Sequence, residues 1–304
     1  MKRRNFIQQA AAGTALVTLG TTGLQSFTTL GKTTKITILH TNDVHSHIDA
    51  FGPEDGRNAN KGGVARRATL IDTFRKENPN TLLLDAGDIF QGTPYFNYYG
   101  GELEFKLMSK LKYDAATIGN HDFDNGIEGL YAQLPHAEFQ FITANYDFSN
   151  TIMDTHTKPY TIFVKDGIKI GVFGLGIKLT GLVDPAMYKE TQYLDPIETS
   201  QEMTRILKDD EHCDLIICLS HLGYNYTNSD KIGDLKLAEA TKDIDLIIGG
   251  HTHTFLKKPT VVKNKAGVNT LVNQVGCYGI NLGKIDFYFD ADKNKSANGT
   301  SIIV

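Results

Sequence analysis

Five short hydrophobic runs in this chain are each followed by side chains of the types that bind metal ions. Each run is too short and too apolar for anything but a buried β-strand. The runs are residues 36–39, 82–84, 115–118, 215–219 and 246–248. The polar residues that follow them are Asp43 and His45, Asp88, Asn120 and His121, His221, and finally His251 and His253. We therefore expect these polar groups to gather at one edge of a β-sheet.

Helical and extended patterns alternate between and after these runs. Segments with helical period cover residues 64–77, 102–111, 126–134 and 198–208. Further strand patterns cover residues 139–142, 160–164, 168–173 and 271–290. The dipeptide Asp166-Gly167 predicts a hairpin between the second and third of these. We predict two β-sheets packed face to face and flanked by helices.

The composition and charge argue against one class of partner. At 304 residues with 40% hydrophobic content, the chain can bury a large core. Its formal charge is −4, but residues 35–304 carry 27 basic and 35 acidic residues, a net charge of −8. Beyond the N-terminal segment, the sequence contains no Lys/Arg cluster with interleaved aromatic residues. A nucleic-acid polymer is therefore not an expected partner, whereas a single nucleotide held by metal ions is compatible with the sequence.

Residues 1–34 have the composition of an export signal. Arg3 and Arg4 precede an apolar pair and a stretch from 10 to 24 that is rich in Ala, Gly, Thr and Leu. This order resembles a twin-arginine signal, although a Sec signal or a basic amphipathic tail would also fit. The segment is too polar for a stable membrane span. We expect export to the periplasm or cell envelope, with cleavage between about residues 25 and 34.

The three cysteines, Cys213, Cys218 and Cys277, do not indicate a disulfide framework. Their number is odd, and Cys218 lies inside a predicted strand. We expect small buried thiols rather than metal ligands or disulfides.

The first candidate ligands combine carboxylates with an imidazole. Asp43 and His45 stand two residues apart, which on an extended backbone puts both on one side, where they can bind one ion. Alone, this D-x-H pair is weak evidence, because such tripeptides often occur by chance. Asp88 follows a buried strand, so its charge needs a partner or a metal ion to offset desolvation.

An amide, an imidazole and two acids crowd the exit of the third strand, in Asn120-His121-Asp122-Phe123-Asp124. Residues of these types also favour turns. His121 and Asp124, however, lie three residues apart at the start of an incipient helix. At that spacing an acid can hold and charge an imidazole.

Three more imidazoles follow the last two strands, namely His221, His251 and His253. The adjacent Gly249 and Gly250 would let the backbone approach a bound ion closely. Each histidine taken alone is more often structural than a ligand. Five strand exits with ligand chemistry together indicate a hydrolase that uses two metal ions.

The order of these motifs resembles that of the calcineurin-like metallophosphoesterases. The matching motifs are Asp43-x-His45, Gly87-Asp88, Gly119-Asn120-His121-Asp122, Ser220-His221 and Gly250-His251-x-His253. A finer likeness to the 5′-nucleotidase branch lies in residues 40–47, 85–94, 119–124 and 273–276. The resemblance covers about residues 35–290. It implies an α/β fold, a four-layer α-β-β-α sandwich, in which residues 35–304 form a single catalytic domain.

The resemblance also implies two divalent metal ions and assigns their ligands. One ion would be bound by Asp43, His45, Asp88 and His253. The other would be bound by Asp88, Asn120, His221 and His251, so that Asp88 bridges the two. This mixture of ligands suits Zn, Mn, Fe or Co. His121 and Asp124 would form the catalytic pair, and Asn120 and His121 would contact the substrate.

Two departures from the family bear on the substrate. Asp122 stands where the family commonly has Glu, a shortening that should be tolerated because this side chain is not an expected ligand. The chain also stops at Val304, whereas full-length members carry a C-terminal domain that supplies arginines for the phosphate and aromatic rings for the base. We expect a stand-alone catalytic domain with looser specificity, or one completed by a separately encoded recognition domain.

The function that the resemblance implies is that of an exported 5′-nucleotidase, which releases phosphate from nucleoside monophosphates. Alternatives on the same scaffold are a 2′,3′-cyclic nucleotide phosphodiesterase, a nucleotide-sugar hydrolase, and a sulfur-oxidation enzyme that acts on the cysteine-bound thiosulfonate of a carrier protein. A non-catalytic metal-binding subunit is disfavoured because every expected ligand is present.

Overall fold

A computed structural model describes residues 33–227 and 229–304 of the chain. The export signal was predicted for residues 1–34, of which residues 1–32 lie outside the described residues. In the described ranges, no helix has both the length and the apolar character needed to cross a membrane.

The first β-sheet carries the N-terminal candidate ligands. Its strands are β1 (Thr34–Thr41), β2 (Thr81–Asp85), β3 (Ala115–Ala116), β4 (Gln140–Phe141), β13 (Asn281–Phe289) and β14 (Lys295–Ile303). They are ordered β14-β13-β1-β2-β3-β4. Strands β1 to β4 are parallel, and β13 and β14 extend the sheet in antiparallel pairing. The carboxyl ends of β1, β2 and β3 therefore lie side by side.

The second β-sheet carries the C-terminal candidate ligands. Its strands are β6 (Tyr160–Lys165), β7 (Ile168–Leu175), β9 (Leu215–Ser220), β10 (Leu246–Gly249), β11 (Thr260–Lys263) and β12 (Asn269–Asn273). Their order is β11-β12-β10-β9-β7-β6. The predicted hairpin at Asp166-Gly167 is confirmed, because it joins the antiparallel β6 and β7. Strands β5 (Tyr146–Asp147) and β8 (Gln192–Tyr193) form a separate small ribbon.

Four of the helices lie close to the predicted segments, and three shorter ones were not predicted. The helices of the described residues are α1 (Val64–Glu77), α2 (Pro94–Tyr99), α3 (Glu102–Lys110), α4 (Gly126–Gln133), α5 (Pro185–Tyr188), α6 (Pro196–Arg205) and α7 (Asp234–Ala240). Helix α6 begins two residues before its predicted start, because the Asp195 carboxylate accepts hydrogen bonds from the backbone N–H groups of Ile197 and Glu198. It continues as a π turn over Ile206–Asp210.

The order of the layers follows from the face of the sheet on which each strand side chain packs. In β2, Leu82 and Leu84 pack between the two sheets, whereas Leu83 packs on the opposite face with residues of α1, α3 and α4. In β9, Ile217 packs between the sheets, whereas Ile216 packs on the outer face with residues of α6 and α7. This period of two places helices outside both sheets. The predicted four-layer α-β-β-α arrangement is confirmed in the described part of the chain.

The prediction of a single sheet edge is wrong. Strands β1, β2 and β3 belong to the first sheet, and β9 and β10 belong to the second. The run at 115–118 also contributes only two residues to its ladder, so that residues 117–119 leave the sheet as a loop. A hydrophobic run identifies a strand but does not specify its pairing partner, since pairing depends on residues distant in sequence.

The pairing of β1 with β13 supplies a testable electrostatic contribution to stability. Asp286 is buried opposite Thr37, whose hydroxyl donates to it at 2.7 Å, and it pairs with Lys35 and Lys284. Burial raises the pKa of Asp286, but the hydrogen bonds from Lys284, Thr37 and Lys35 outweigh burial and bring it below its usual value.

We expect Asp286→Asn to lower the free energy of unfolding at pH 7 by about 1–3 kcal/mol. Because the folded-state pKa is depressed, this stabilisation is present above the unfolded-state pKa of about 4 and is lost as the pH falls through the folded-state pKa. Urea unfolding between pH 7 and pH 3 measures it. If the difference in free energy of unfolding between wild type and variant does not become smaller below about pH 4, the proposed stabilisation by ionised Asp286 is contradicted.

Candidate metal centre

Asp43 and His45 lie in a tight loop after β1. Their φ angles are both 50°, so the extended backbone predicted for this pair is wrong. Left-handed backbone at non-glycine residues costs roughly 1–3 kcal/mol each and persists only where neighbours hold it. Here the N–H groups of Asp43 and His45 donate to the carbonyls of Gly87 and Asp88, at 2.9 and 3.1 Å. The loop nevertheless brings Asp43 Oδ1 within 4.0 Å of His45 Nε2.

Asp88 is placed by the buried carboxylate of Asp122. That carboxylate accepts hydrogen bonds from the N–H groups of Asp88 at 3.1 Å, Ile89 at 2.9 Å, Phe90 at 3.1 Å and Gly119 at 2.8 Å. It thereby ties the loop after β2 to the loop after β3. Both Asp122 oxygens face backbone amides, which is consistent with the expectation that this side chain is not a metal ligand.

Two histidines are oriented through their Nδ1 atoms. His221 Nδ1 lies 2.7 Å from the carbonyl oxygen of Ala86, and His45 Nδ1 lies 3.1 Å from that of Phe90. A carbonyl oxygen can only accept, so Nδ1 carries a proton, and in the neutral ring Nε2 presents a lone pair to the interior of the site. This tautomer is the one that a metal-binding imidazole requires.

Among the described residues, two groups of side chains bring their ligand atoms within 4.8 Å of one another. The first group is Asp43, His45 and His253, and the second is Asp88, His221 and His251. In the first, Asp43 Oδ1 is 3.4 Å from His253 Nε2, and the Nε2 atoms of His45 and His253 are 3.0 Å apart. In the second, Asp88 Oδ2 is 3.1 Å from His221 Nε2.

Asp88 and Asn120 complete the cluster. Asp88 Oδ2 is also 3.8 Å from His45 Nε2, so this oxygen lies between the two groups. Asn120 Oδ1 lies 2.8 Å from His251 Nδ1. The structure therefore brings all the predicted ligands close together, and their division between two ions stays a prediction.

The donor atoms fit divalent transition-metal ions. His221 Nε2 is buried and has no hydrogen-bond partner among the described residues, although Asp88 Oδ2 lies close by. Burial lowers the pKa of His221, but the negative charges of Asp88 and Asp43 outweigh burial and raise it to about 10. Positive charge is thus favoured at this buried nitrogen, and a divalent ion such as Zn or Mn would take the place of its proton.

His121 and Asp124 lie at the edge of this cluster. His121 Nδ1 is 2.8 Å from Asp124 Oδ2, and the His121 backbone N–H donates to Asp88 Oδ1 at 2.8 Å. The hydrogen bond that His121 Nδ1 donates to Asp124 raises the pKa of His121 above its usual value. The His121 side chain is 39% exposed, so a substrate can reach it.

The family is decided by comparison with known proteins. A model of the calcineurin-like phosphoesterases matches residues 36–255. The chain belongs to this family. The resemblance recognised in the motifs is thus confirmed, together with the fold that it implied.

This calcineurin-like phosphoesterase is similar to proteins named as nucleotide phosphoesterases and 5′-nucleotidases. The trifunctional nucleotide phosphoesterase protein YfkN of Bacillus subtilis is 36% identical over 84% of this chain and 18% of the relative. The snake venom 5′-nucleotidase of Crotalus adamanteus is 34% identical over 86% of this chain and 46% of the relative. The crystal structure of a 5′-nucleotidase precursor from Thermus thermophilus matches with a TM-score of 0.79 at 35% identity, covering 89% of this chain and 55% of that one. The chain spans about half the length, or less, of these relatives.

Sequence reasoning missed the residue that orients Asp43 in this phosphoesterase. Asn42 Nδ2 donates to Asp43 Oδ2 at 2.6 Å and to the Gly276 carbonyl at 2.7 Å. Asn42 Oδ1 accepts from the backbone N–H of Val275 at 3.0 Å. The motif at 273–276 was part of the resemblance, and it could have indicated a partner for the loop after β1.

A buried network behind His251 was also missed. Asp234 accepts from the Ser220 hydroxyl at 2.6 Å and from Gln274 Nε2 at 3.4 Å, and Gln274 Nε2 donates to the Gly250 carbonyl at 2.6 Å. Asp234 begins α7, where an acid is common for reasons of helix stability, so the sequence carries no signal for this contact.

Two further histidines lie near the site without belonging to a ligand group, and the prediction for the cysteines is confirmed. His40 Nε2 lies 2.8 Å from Asn273 Nδ2 near the end of β1, and burial lowers the pKa of His40 to about 3. The His47 ring stacks on Phe51 and contacts Tyr278. All three cysteines are free and buried, as expected.

Gly119 offers a test of how tightly the site is packed. A Cβ at this position would lie 2.2 Å from Asp88 Oδ1 and 2.5 Å from Asp88 N. Since such distances are not tolerated, Gly119→Ala must displace Asp88, and we expect metal binding to weaken roughly 10–100-fold. Competition with a chromophoric chelator measures this. Gly167→Ala is the control: its φ of 80° strains an added side chain, but this strain lies in the β6–β7 turn, where a Cβ meets no atom within 4 Å. Equal metal affinities of the two variants would contradict the prediction.

Proposed function

We propose that this chain is an exported, metal-dependent phosphoric ester hydrolase that acts as a 5′-nucleotidase on nucleoside monophosphates. The observation that carries the proposal is the position of Asp88 Oδ2 between two ligand groups, with His121 and Asp124 at their edge. The names of the matched relatives, nucleotide phosphoesterase and 5′-nucleotidase, support the substrate class.

In this proposal the chain holds two divalent ions. Asp43, His45, Asp88 and His253 bind one of them, and Asp88, Asn120, His221 and His251 bind the other. Two bound ions supply an activated water and neutralise charge on the phosphoryl oxygens. Such help is needed because phosphate monoesters hydrolyse so slowly that accelerations of up to ~10²¹ are required, whereas acid–base catalysis supplies ~10²–10⁴.

His121 and Asn120 act on the substrate. Because His121 Nδ1 is bound by Asp124, its Nε2 atom can face the phosphate ester. A protonated His121 can donate to a phosphoryl oxygen or protonate the leaving oxygen. Asn120 Oδ1 faces His251, which leaves the Asn120 amide N–H₂ group able to donate to a phosphoryl oxygen.

A broader specificity is the second candidate. The relative with 36% identity is named a trifunctional nucleotide phosphoesterase, which favours more than one type of nucleotide ester. The corresponding substrates here are the 2′,3′-cyclic nucleotides and nucleotide sugars that the sequence left open.

Turnover by the purified full chain, loaded with Mn or Zn, tests both candidates. The substrates are AMP, 2′,3′-cyclic AMP, UDP-glucose and p-nitrophenyl phosphate, with products separated by chromatography. Turnover strongest on AMP supports a 5′-nucleotidase, and similar turnover on several esters supports the broader enzyme. No turnover by a sample that binds two ions would contradict both.

Export, proposed from residues 1–34, is tested by fractionation of cells that express the chain. A cytoplasmic, unprocessed chain would contradict it.

A further inference from the structure

Two charged side chains are buried beneath the loop that carries Asp43 and His45. Arg67 of α1 is 4% exposed and Glu104 of α3 is 5% exposed. Nε and Nη1 of Arg67 and both carboxylate oxygens of Glu104 have no partner at hydrogen-bond distance among the described residues. The same holds for the hydroxyl of Ser46, which follows His45 directly. Polar atoms of three buried side chains are thus without a partner at hydrogen-bond distance among the described residues.

A small cavity lies between these groups. Its lining includes Ser46, Arg67, Asp85 and Glu104, and its volume is about 20 Å³. Burial raises the pKa of Glu104, and the Ser46 hydroxyl across the cavity opposes that rise. Asp85 is already engaged, because it accepts from the Thr41 hydroxyl at 2.6 Å and from the Gly87 N–H at 2.9 Å. The groups still in need of a partner are those of Arg67, Glu104 and Ser46.

Leaving these groups unpaired would be costly, since each buried and unsatisfied charge costs several kcal/mol. One water molecule needs roughly 10–15 Å³ of cavity volume and two to four polar partners, and this cavity offers both. A water molecule can accept from the Arg67 guanidinium while it donates to the Glu104 carboxylate, and Ser46 can join as a third partner. A single water would therefore give each of these three side chains one hydrogen bond.

We propose that the cavity binds one ordered water that bridges Arg67, Glu104 and Ser46, and that Arg67 and Glu104 are positioning residues for the metal-binding loop. The inference rests on the proposed ligand roles of Asp43 and His45. The bridge anchors Ser46, and hence His45, to helices α1 and α3.

Arg67 also touches the backbone segment that supports Asp43 from the other side. A Cβ at Gly279 would lie 2.1 Å from Arg67 Nη1, so the guanidinium packs against that backbone. The adjacent residue, Tyr278, donates its N–H to the Asp43 carbonyl at 2.7 Å. Arg67 therefore lies against the segment that supports Asp43, and it lines the same cavity as Ser46 of the metal-binding loop.

The test measures metal affinity and stability in the full chain. Variants Arg67→Met, Glu104→Gln and Ser46→Ala are titrated, metal-free, with Mn or Zn against a chromophoric chelator, at a temperature where each is folded. We expect the affinity for the first ion to weaken roughly 10–100-fold in Arg67→Met and less in Ser46→Ala, which leaves no charge unpaired. A crystal structure of the wild type should show one water within hydrogen-bond distance of all three residues.

Arg75→Met is the matched control. Arg75 also lies in α1, but it donates to the carbonyls of Leu111 and Lys112 at 2.7 and 2.6 Å, away from the cavity. This variant should be less stable than the wild type and bind metal equally well. A direct Arg67–Glu104 ion pair in the crystal, with no water, would overturn the bridge. If His253→Ala weakens metal binding but Arg67→Met and Ser46→Ala bind metal like the wild type, the positioning role is overturned. If His253→Ala binds metal like the wild type, the ligand assignment itself has failed.

Discussion

The variant Asp88→Asn is expected to lose phosphate-ester hydrolysis by roughly 10³–10⁴-fold and to bind at most one of the two ions. Asp88 Oδ2 is the atom that lies near both His45 Nε2 and His221 Nε2. In the variant, an amide N–H₂ group can replace this oxygen and donate to the His221 lone pair, which then no longer binds metal. The loss of negative charge also weakens the attraction for a second cation.

Metal content by mass spectrometry and initial rates on AMP measure this result together. Asp114→Asn is the matched control, because Asp114 precedes β3 and accepts from the Leu83 N–H at 2.7 Å, at the end of the strand away from the ligands. It should cost about 1 kcal/mol of stability and leave hydrolysis unchanged. An Asp88→Asn enzyme that holds two ions and turns over like the wild type would contradict the bridging role.

The variant His121→Ala is expected to keep both ions and to lose ~10²–10⁴-fold in kcat on AMP. Its imidazole is not a member of either ligand group, so metal binding does not require it. The kcat of Asp124→Asn on AMP should fall between those of His121→Ala and the wild type. The amide oxygen can still accept a hydrogen bond from His121 Nδ1, but it no longer stabilises the protonated ring.

A change of leaving group separates the two possible tasks of His121. The p-nitrophenolate ion leaves without a proton, so proton donation predicts a smaller loss on p-nitrophenyl phosphate than on AMP. Equal losses indicate stabilisation of the phosphoryl group instead. His156→Ala, which removes a histidine in contact with Tyr131, should leave kcat unchanged. More than half of wild-type kcat in His121→Ala would rule out a catalytic role.

The strands and the chemistry at their ends were predictable because both are local in sequence. A short apolar run marks a buried strand, and the polar residues after it mark the strand's exit. Which strands share a sheet was not predictable in this way, because strand pairing joins residues far apart in sequence. Thr37 of β1, for example, pairs with Asp286 of β13. Strand β14 was missed because Lys295–Ile303 is a mostly polar edge strand without a buried face.

The fine geometry of the site depends on contacts that no local pattern encodes. The φ angle of 50° at Asp43 is held by backbone partners in the loop after β2. The sequence reading placed Asp122 outside the ligand set, but it could not show that its carboxylate binds four backbone amides from two loops. The ligand identities were thus predictable, whereas the groups that hold them in place required the structure.

Anomalous scattering from crystals of the full chain soaked with Mn or Zn tests the central claim most directly. Two peaks are predicted ~3.5–4 Å apart, the spacing of two-metal hydrolases, with Asp88 between them. One peak should lie against Asp43, His45 and His253, and the other against Asn120, His221 and His251. A single peak, or peaks that do not contact Asp88, would contradict the proposed two-metal centre.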